Sequence, residues 1–200
     1  MEAKAVKDAK GRLNRSKEKL EQMIKDRSFS FEEFEASWED FLNLLNTIFS
    51  KLEQGAKADS KSKAWYDKIK HERRTDPLLS YVQQARNSEE HTLIGTTDKT
   101  GFRIEAVGKG AKVVRSGHKD NRLEVIAPAN AKAGEELFRI HAPGIYLVDV
   151  TCQRSKKRFP VPTSHLDTEL YQNDPISVAS LAINYAEEMI NIAETMIVEK

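Results

Sequence analysis

The sequence is poor in cysteine, with Cys152 as its single representative among 200 residues. One cysteine allows no disulfide bond within the chain and no cysteine-rich zinc site, and it fits a reducing compartment. Long apolar runs are missing too, since no stretch approaches the roughly 18 apolar residues that a membrane-spanning helix needs. The N-terminal segment also lacks the apolar core of a secretory signal. We therefore expect a cytoplasmic protein without a membrane span.

A large net charge is absent as well, because 32 basic and 31 acidic side chains leave a formal charge of +1. The distribution is uneven: residues 101–160 hold twelve basic and six acidic side chains, whereas residues 161–200 hold one basic and seven acidic. The basic part would suit an anionic partner such as nucleic acid. Alternatively, it lies beside the acidic C-terminal part and is neutralised by it. The length suits one ordinary domain, or a core with a small insertion.

The most distinct helix in the sequence begins near Ser30. Ser30 and Glu33 form a capping box, and Phe29 and Phe34 occupy the two positions of a hydrophobic staple around it. A wide apolar face follows at helical spacing, so we expect this helix at the centre of the core and expect Gly55 to end it. The apolar face consists of Phe31, Phe34, Trp38, Phe41, Leu42, Leu45, Ile48, Phe49 and Leu52.

Start signals mark further helices, in addition to a thin amphipathic pattern over the first 25 residues. Asp76 and Asp174 are each followed by proline, which combines an N-cap with the residue favoured at the first helical position. A polar loop is expected at residues 54–63, with a short helix around Trp65 after it. The last helix has two apolar stripes, so we expect one to close the bundle and the other to meet a second subunit. The stripes are Ile176, Ala179, Ile183, Ala186, Ile190, Ala193 and Ile197, and Val178, Leu181, Tyr185, Ile192 and Met196.

Beyond residue 95 the hydrophobic pattern changes to alternation, as in Phe102–Ala106, with frequent glycines. This pattern predicts a small antiparallel β-sheet of about five strands over residues 101–161. The predicted fold class is therefore α+β: an antiparallel bundle of four to five helices with the sheet inserted between the last two helices. Residues 1–95 form the first part of the bundle, and the helix at residues 174–199 completes it.

Arg86, Asn87 and His91 form the motif Arg-Asn-x-x-x-His near the end of the helix that follows Asp76. This motif resembles the signature of the HEPN superfamily, small α-helical domains in which an arginine and a polar residue precede a histidine by a few positions. The resemblance implies an antiparallel helical fold and a metal-independent endoribonuclease, often a toxin or defence effector with a neutralising partner. It also implies a homodimer in which the two motifs face one cleft.

The residue types in the motif suit RNA cleavage by the neighbouring 2′-hydroxyl. His91 supplies proton transfer near neutral pH, and Arg86 stabilises the charge that develops on the phosphate. Asn87 orients the histidine or holds a phosphate oxygen. Arg86 and His91 are about 140° apart on an ideal helix at roughly 100° per residue. Both reach one phosphate only if the helix ends or bends near His91, or if a dimer brings the second motif close.

The same residues can instead be explained by structural roles. Arg86 can pair with Glu89 or Glu90 at helical spacing, and His91 can interact with the dipole at the helix C-terminus. A second hypothesis of a different class follows: a dimeric, non-catalytic binding module that uses the basic sheet and the C-terminal helix. The two hypotheses differ in whether activity or binding depends on His91.

Two basic clusters are candidates for weak nucleic-acid contacts, one on the helix before the motif and one between two predicted strands. They consist of Lys68, Lys70, Arg73 and Arg74, and of Lys156, Lys157 and Arg158. His165 is a further residue of interest, because the motif together with Pro162-x-x-His165-Leu166 resembles a family of uncharacterised bacterial proteins. His165 is then either a supporting residue of the active site or a satisfied polar contact in a loop. No metal-ligand spacing occurs, so we expect no metal and no cofactor.

Overall fold

The computed structural model describes residues 1–91, 95–101, 103–116, 122–132, 134–141, 143–152 and 155–197. It confirms the α+β class, with long helices and short two-stranded β-ladders. The helices are α1 (Ala3–Asp26), α2 (Phe31–Ala56), α3 (Ser60–Thr75), α4 (Pro77–His91) and α5 (Pro175–Thr195). No helix in the described part of the chain is both long enough and apolar enough to cross a bilayer.

The strands form pairs rather than the single sheet of about five strands expected over residues 101–161. Among the described residues the pairs are β1–β6, β2–β5, β3–β4, β7–β8 and β9–β10, so each strand has one partner. The first three pairs are nested along the chain, because an outgoing run of strands pairs with a returning one. The strands are β1 (Thr97–Thr100), β2 (Arg103–Ala106), β3 (Lys112–Ser116), β4 (Arg122–Ile126), β5 (Phe138–His141), β6 (Gly144–Leu147), β7 (Val150–Thr151), β8 (Arg158–Phe159), β9 (Ser164–His165) and β10 (Thr168–Glu169).

The chain divides into a helical unit, Met1–Asp98 with Ile145–Lys200, and a second unit, Lys99–Gly144, which we call the ribbon. This boundary corrects the expected insertion at 101–161. Three side chains within that range, Ile145, Leu147 and Val150, are buried in the core of the helical unit. Every ribbon residue whose burial is described is exposed or half-buried, because a two-stranded ladder has no second layer to cover it.

Helix α2 is the centre of the core, as its wide apolar face predicts. It contacts each of the other four helices. Its aromatic side chains other than Phe31 are fully buried, and the rings of Trp38 and Phe41 stack with centroids 5.6 Å apart. Tyr66 of α3 donates a hydrogen bond to the carbonyl of Phe49 at 2.7 Å, and burial raises its pKa to about 12.

At the N-terminus of α2 the structure shows the expected cap at Ser30 but not the expected hydrophobic staple. The hydroxyl of Ser30 accepts a hydrogen bond from the backbone N–H of Glu33 at 3.2 Å, so Ser30 is the N-cap. Phe29 is 89% exposed and therefore forms no hydrophobic staple with the buried Phe34.

The end of α2 also differs from expectation. The helix passes through Gly55 and ends at Ala56, and the expected polar loop at 54–63 is reduced to residues 57–59. Gly55 serves close packing rather than a turn, because a Cβ atom at this position would lie 2.5 Å from the Cβ of Ala5. The polar residues after it belong instead to the first turn of α3, whose N-cap is Asp59.

Helix α5 starts as expected, with Asp174 accepting hydrogen bonds from the N–H groups of Ile176 and Ser177. Its second apolar stripe packs against the core of the chain, where Val178 and Tyr185 are buried and the rest of the stripe is partly buried. A subunit contact through α5 stays a prediction. The outer face of the helix is polar and consists of Asn184, Glu188, Asn191, Glu194 and Thr195.

Candidate functional site

The motif lies on the last turns of α4, which packs against α2 through buried residues such as Val82 and Ala85. Arg86 and Asn87 follow Ala85 and are half-buried. The Nε of Arg86 donates a hydrogen bond to Oδ1 of Asn43 at 3.1 Å, and Nη1 donates to Oδ1 of Asn87 at 3.5 Å. The guanidinium is thus held by amide oxygens on both sides.

Asn43 is a residue that the sequence analysis missed. It lies on the exposed face of α2, far from the motif along the chain. The only signal in the sequence is its helical spacing from Glu35 and Glu39, which places the three residues on one face of α2. That pattern predicts a polar face, but it does not predict which helix the face meets.

His91 is the last residue of α4, and its side chain lies outside the described residues. Beyond it, Thr96 accepts a hydrogen bond from Nε1 of Trp38 at 2.8 Å, and Thr97 lies 3.4 Å from a carboxylate oxygen of Glu35. The segment after the motif is therefore attached to α2.

A second polar cluster lies at the opposite end of α4, around Asp76. The carboxylate of Asp76 accepts hydrogen bonds from the N–H of Leu79 at 2.8 Å and the N–H of Leu166 at 2.7 Å. Its Oδ1 also lies 3.1 Å from Nδ1 of His165. Burial by itself raises the pKa of Asp76, but the hydrogen bonds from His165, Leu166 and Leu79 outweigh it and lower the pKa.

His165 is placed by the hairpin of β9 and β10. Leu166 and Asp167 form its two-residue turn, with φ angles of 46° and 63°, the left-handed backbone of a type I′ turn. The buried His165 ring packs edge-on against Tyr185, with centroids 5.8 Å apart. Tyr185 in turn donates a hydrogen bond to Glu72 at 2.7 Å, and burial together with this carboxylate raises its pKa.

The structure does not bring His165 to the motif. Asp76 and Arg86 are ten positions apart on α4, which corresponds to about 15 Å along a helix axis. His165 belongs to the Asp76 end, where its partners are Asp76 and Tyr185. Neither contact of His165 follows from the sequence, because Asp76 and Tyr185 lie on distant parts of the chain.

The basic cluster on α3 is divided between structural and exposed cations. Lys70 forms an ion pair with Glu53 at 2.6 Å, and the guanidinium of Arg73 lies over the ring of Phe49 at 4.0 Å. Arg73 is half-buried, and this burial lowers its pKa. Lys68 and Arg74 are exposed on the outer face of α3.

The basic residues beside β8 are similarly mixed. Arg158 forms an ion pair with Asp149, with Nε 2.7 Å from Oδ2. Lys157 lies over the ring of Phe159 with its ammonium 4.9 Å from the centroid. Lys156 is exposed at the turn with a φ of 57°. All three side chains are exposed.

No group of three or more histidine, cysteine, aspartate or glutamate side chains in the described ranges is arranged to hold a metal ion. Comparison with models of protein families, with curated proteins and with solved structures finds no protein similar to this chain. The chemistry of the two ends of α4 is therefore the basis for assigning a function.

Proposed function

We propose that the protein is a metal-independent endoribonuclease of the HEPN type, whose site comprises Arg86, Asn87 and His91. The observation that carries the proposal is the guanidinium of Arg86, which two amide oxygens orient at the last turn of α4. Preorganised donors stabilise developing charge at little cost in reorganisation, which is what a cleavage site for phosphodiesters requires. His91 follows at the end of the same helix.

The reaction is a transesterification within the RNA. His91 accepts the proton of the 2′-hydroxyl while the 2′-oxygen forms a bond to phosphorus. The bond from phosphorus to the 5′-oxygen breaks, and the leaving oxygen takes up a proton. Arg86 stabilises the additional negative charge on the phosphate oxygens. The products are a 2′,3′-cyclic phosphate and a free 5′-hydroxyl.

The exposed cations of α3 support an RNA path toward the motif. Lys68 and Arg74 are exposed on the helix that immediately precedes α4 and contacts it. Phosphate contacts of this kind position a nucleic acid without reading its sequence. Lys70 and Arg73 have structural partners, so Lys68 and Arg74 are the cations of this cluster that we assign to RNA.

The active form in this proposal is a homodimer in which the two motifs share one cleft, with a separate protein as the neutralising partner. A dimer would supply Arg86 and His91 to one phosphate from two helices. The angle of about 140° between the two residues on one helix would then not keep them from the same phosphate. The molecular mass in solution, measured by light scattering, tests this part.

The decisive experiment is RNA cleavage in EDTA by the wild type, Arg86→Ala and His91→Ala, followed by analysis of the RNA ends. Arg27→Ala and His71→Ala are matched controls, because both residues are exposed and lie outside the motif. The proposal requires cyclic phosphate ends with the wild type and both controls, and none with the motif variants. Unchanged cleavage by Arg86→Ala would remove Arg86 from the site.

The ribbon favours a second candidate function, a nucleic-acid-binding module without catalysis. Residues 99–144 contain nine basic and five acidic side chains, and Lys109 and Lys112 are exposed on it. A two-stranded ribbon can enter the major groove of a duplex. This function predicts binding that survives His91→Ala but weakens with added salt and in a Lys109→Ala, Lys112→Ala double variant. Lys7→Ala with Lys25→Ala on α1 is the control.

A further inference from the structure

The ribbon contains an open pocket of about 670 Å³, a size that suits a small ligand. Its walls are the turn that joins β2 to β3 and the segment that joins β4 to β5. Lys109 and Gly110 line the first wall, and Pro128 and Lys132 are among the residues that line the second. All described lining residues lie between Lys99 and Gly144, so the ribbon forms this pocket without the helical unit.

Two glycines allow the two walls to approach each other closely. A Cβ atom at Gly108 would lie 2.5 Å from Cδ2 and 3.0 Å from Cα of Leu137. A Cβ atom at Gly110 would lie 3.3 Å from the Cβ of Pro128, and the φ angle of 85° at Gly110 is costly for any other residue. The N–H groups of Val107 and Gly108 both donate to the carbonyl of Leu137, at 3.0 and 3.2 Å. The pocket therefore depends on a specific packing of backbone on backbone.

Three β-turns give the pocket its shape. In each turn the N–H of the fourth residue donates to the carbonyl of the first. The turns are Gly108–Ala111 at 3.1 Å, Pro128–Ala131 at 3.0 Å and Lys132–Glu135 at 3.1 Å. The last turn is closed a second time, because Oε2 of Glu135 accepts the N–H of Lys132 at 3.1 Å. The rim of the pocket is thus held by hydrogen bonds within the chain and does not need a ligand to form.

Lys109 and Lys132 give the pocket its positive charge, one from each wall. Both are exposed, and neither forms an ion pair with another described residue. Glu135 is the acidic residue of the described lining, and its carboxylate accepts a hydrogen bond within its own turn. A phosphate monoester carries about 1.5 to 2 negative charges near neutral pH, whereas each phosphodiester of a nucleic acid carries about one. Two ammonium groups around one pocket therefore favour the monoester.

We propose that this pocket binds the phosphate monoester of a nucleotide. Lys109 and Lys132 contact the phosphate from the two walls, and Gly110 lets it approach the backbone because it has no side chain. The amide of Asn130 donates a further hydrogen bond. The pocket is larger than a phosphate group, and the apolar ring of Pro128 forms a surface for the nucleoside. A free nucleotide and the 5′-phosphorylated end of a nucleic acid share this chemistry.

The test is calorimetric titration of the full chain with deoxyadenosine 5′-monophosphate and, in a separate arm, with a 5′-phosphorylated DNA tetranucleotide. Neither ligand has the 2′-hydroxyl that the proposed cleavage uses, so the result does not depend on that activity. Deoxyadenosine and the same tetranucleotide with a 5′-hydroxyl are the ligand controls. Each should bind more weakly by about tenfold or more, because the charge-assisted hydrogen bonds to the monoester are missing. The arm with the tighter binding identifies the source of the phosphate.

Lys109→Gln and Lys132→Gln should each weaken the binding of both ligands about tenfold, because each removes a charge-assisted hydrogen bond. Both side chains are exposed, so the variants should fold like the wild type. Lys99→Gln is the matched control, because Lys99 is exposed on β1 of the same unit and is not among the described lining residues.

Three results would overturn the proposal. The first is the absence of binding in both arms. The second is equal binding of the phosphorylated and unphosphorylated ligands, which would indicate general nucleic-acid binding by the ribbon. The third is equal weakening by Lys99→Gln and Lys132→Gln, which would mean that the overall positive charge of the ribbon attracts the ligand and that the pocket does not.

Discussion

The two ends of α4 use polar residues in opposite ways. At the N-terminal end, one buried carboxylate of Asp76 caps the helix, anchors a hairpin and holds His165. At the C-terminal end, Arg86 and Asn87 are half-buried and are held by amides near the surface. The comparison indicates that the burial of a polar motif on a helix distinguishes a structural role from a functional one. A deep cluster stabilises the fold, and a shallow one lies within reach of a substrate.

The largest expected effect is on cleavage at the shallow end. Arg86→Ala should lower the rate of RNA cleavage by about 10²- to 10³-fold, as for the loss of one preorganised donor. Its free energy of unfolding should change by less than about 1 kcal/mol, because the side chain is near the surface. Single-turnover kinetics and urea denaturation measure the two effects. A large loss of stability would show that the motif is structural, and the comparison would fail.

Asp76→Ala should have the opposite profile. The substitution removes a helix cap and leaves the buried N–H of Leu166 and the ring of His165 without their partner, so we expect a loss of about 3 kcal/mol. Urea denaturation measures this loss beside Arg86→Ala. A loss below about 1 kcal/mol would mean that the deep cluster is not a centre of stability.

Lowering the pH should reduce the contribution of the Asp76 end of α4 to the stability of the fold. The pKa of Asp76 is lower in the folded protein than in the unfolded chain, so its ionised form stabilises the fold at neutral pH. This contribution is complete above about pH 4, near the pKa of an unfolded aspartate, and is lost as the pH falls through the folded-state value. The wild type should therefore lose more stability than Asp76→Asn between about pH 5 and about pH 2. Parallel acid unfolding curves would contradict this.

Asn43→Ala should affect the shallow end in a milder way. Loss of the amide that orients Nε of Arg86 should lower the cleavage rate about tenfold, which corresponds to about one hydrogen bond. Because Asn43 is exposed, stability should change by no more than about 0.5 kcal/mol. Asn43→Asp, which keeps an acceptor in place, should retain more activity than Asn43→Ala. Equal rates for Asn43→Ala and the wild type would show that Asn43 does not position Arg86.

The smallest effect concerns the turn that the deep cluster anchors. Leu166→Gly removes the energetic cost of a left-handed backbone at this position. We expect a gain in stability of no more than about 1 kcal/mol, and therefore a slightly higher melting temperature. Leu166→Ala keeps a Cβ atom and should give no such gain. Differential scanning calorimetry of both variants decides the matter. If the alanine variant is the more stable of the two, backbone strain is not the reason.

Local signals predicted the elements well. Ser30, Asp76 and Asp174 are N-caps as expected, because a cap is a contact between a side chain and the N–H groups of the next few residues. Prediction failed where the structure depends on contacts with segments that are distant in the sequence. Gly55 continues a helix because Ala5 approaches it, and Phe29 lies in solvent.

For the site, the sequence by itself determined the residue types of the motif, their place at the end of α4 and the cap at Asp76. It also determined the α+β class, since hydrophobic periodicity is a property of neighbouring residues. Only the tertiary structure decided that Asn43 meets Arg86 and that His165 meets Asp76. The first pair is separated by 43 positions in the sequence and the second by 89. Such pairs form only when helices and hairpins pack, and no local sequence pattern encodes that packing.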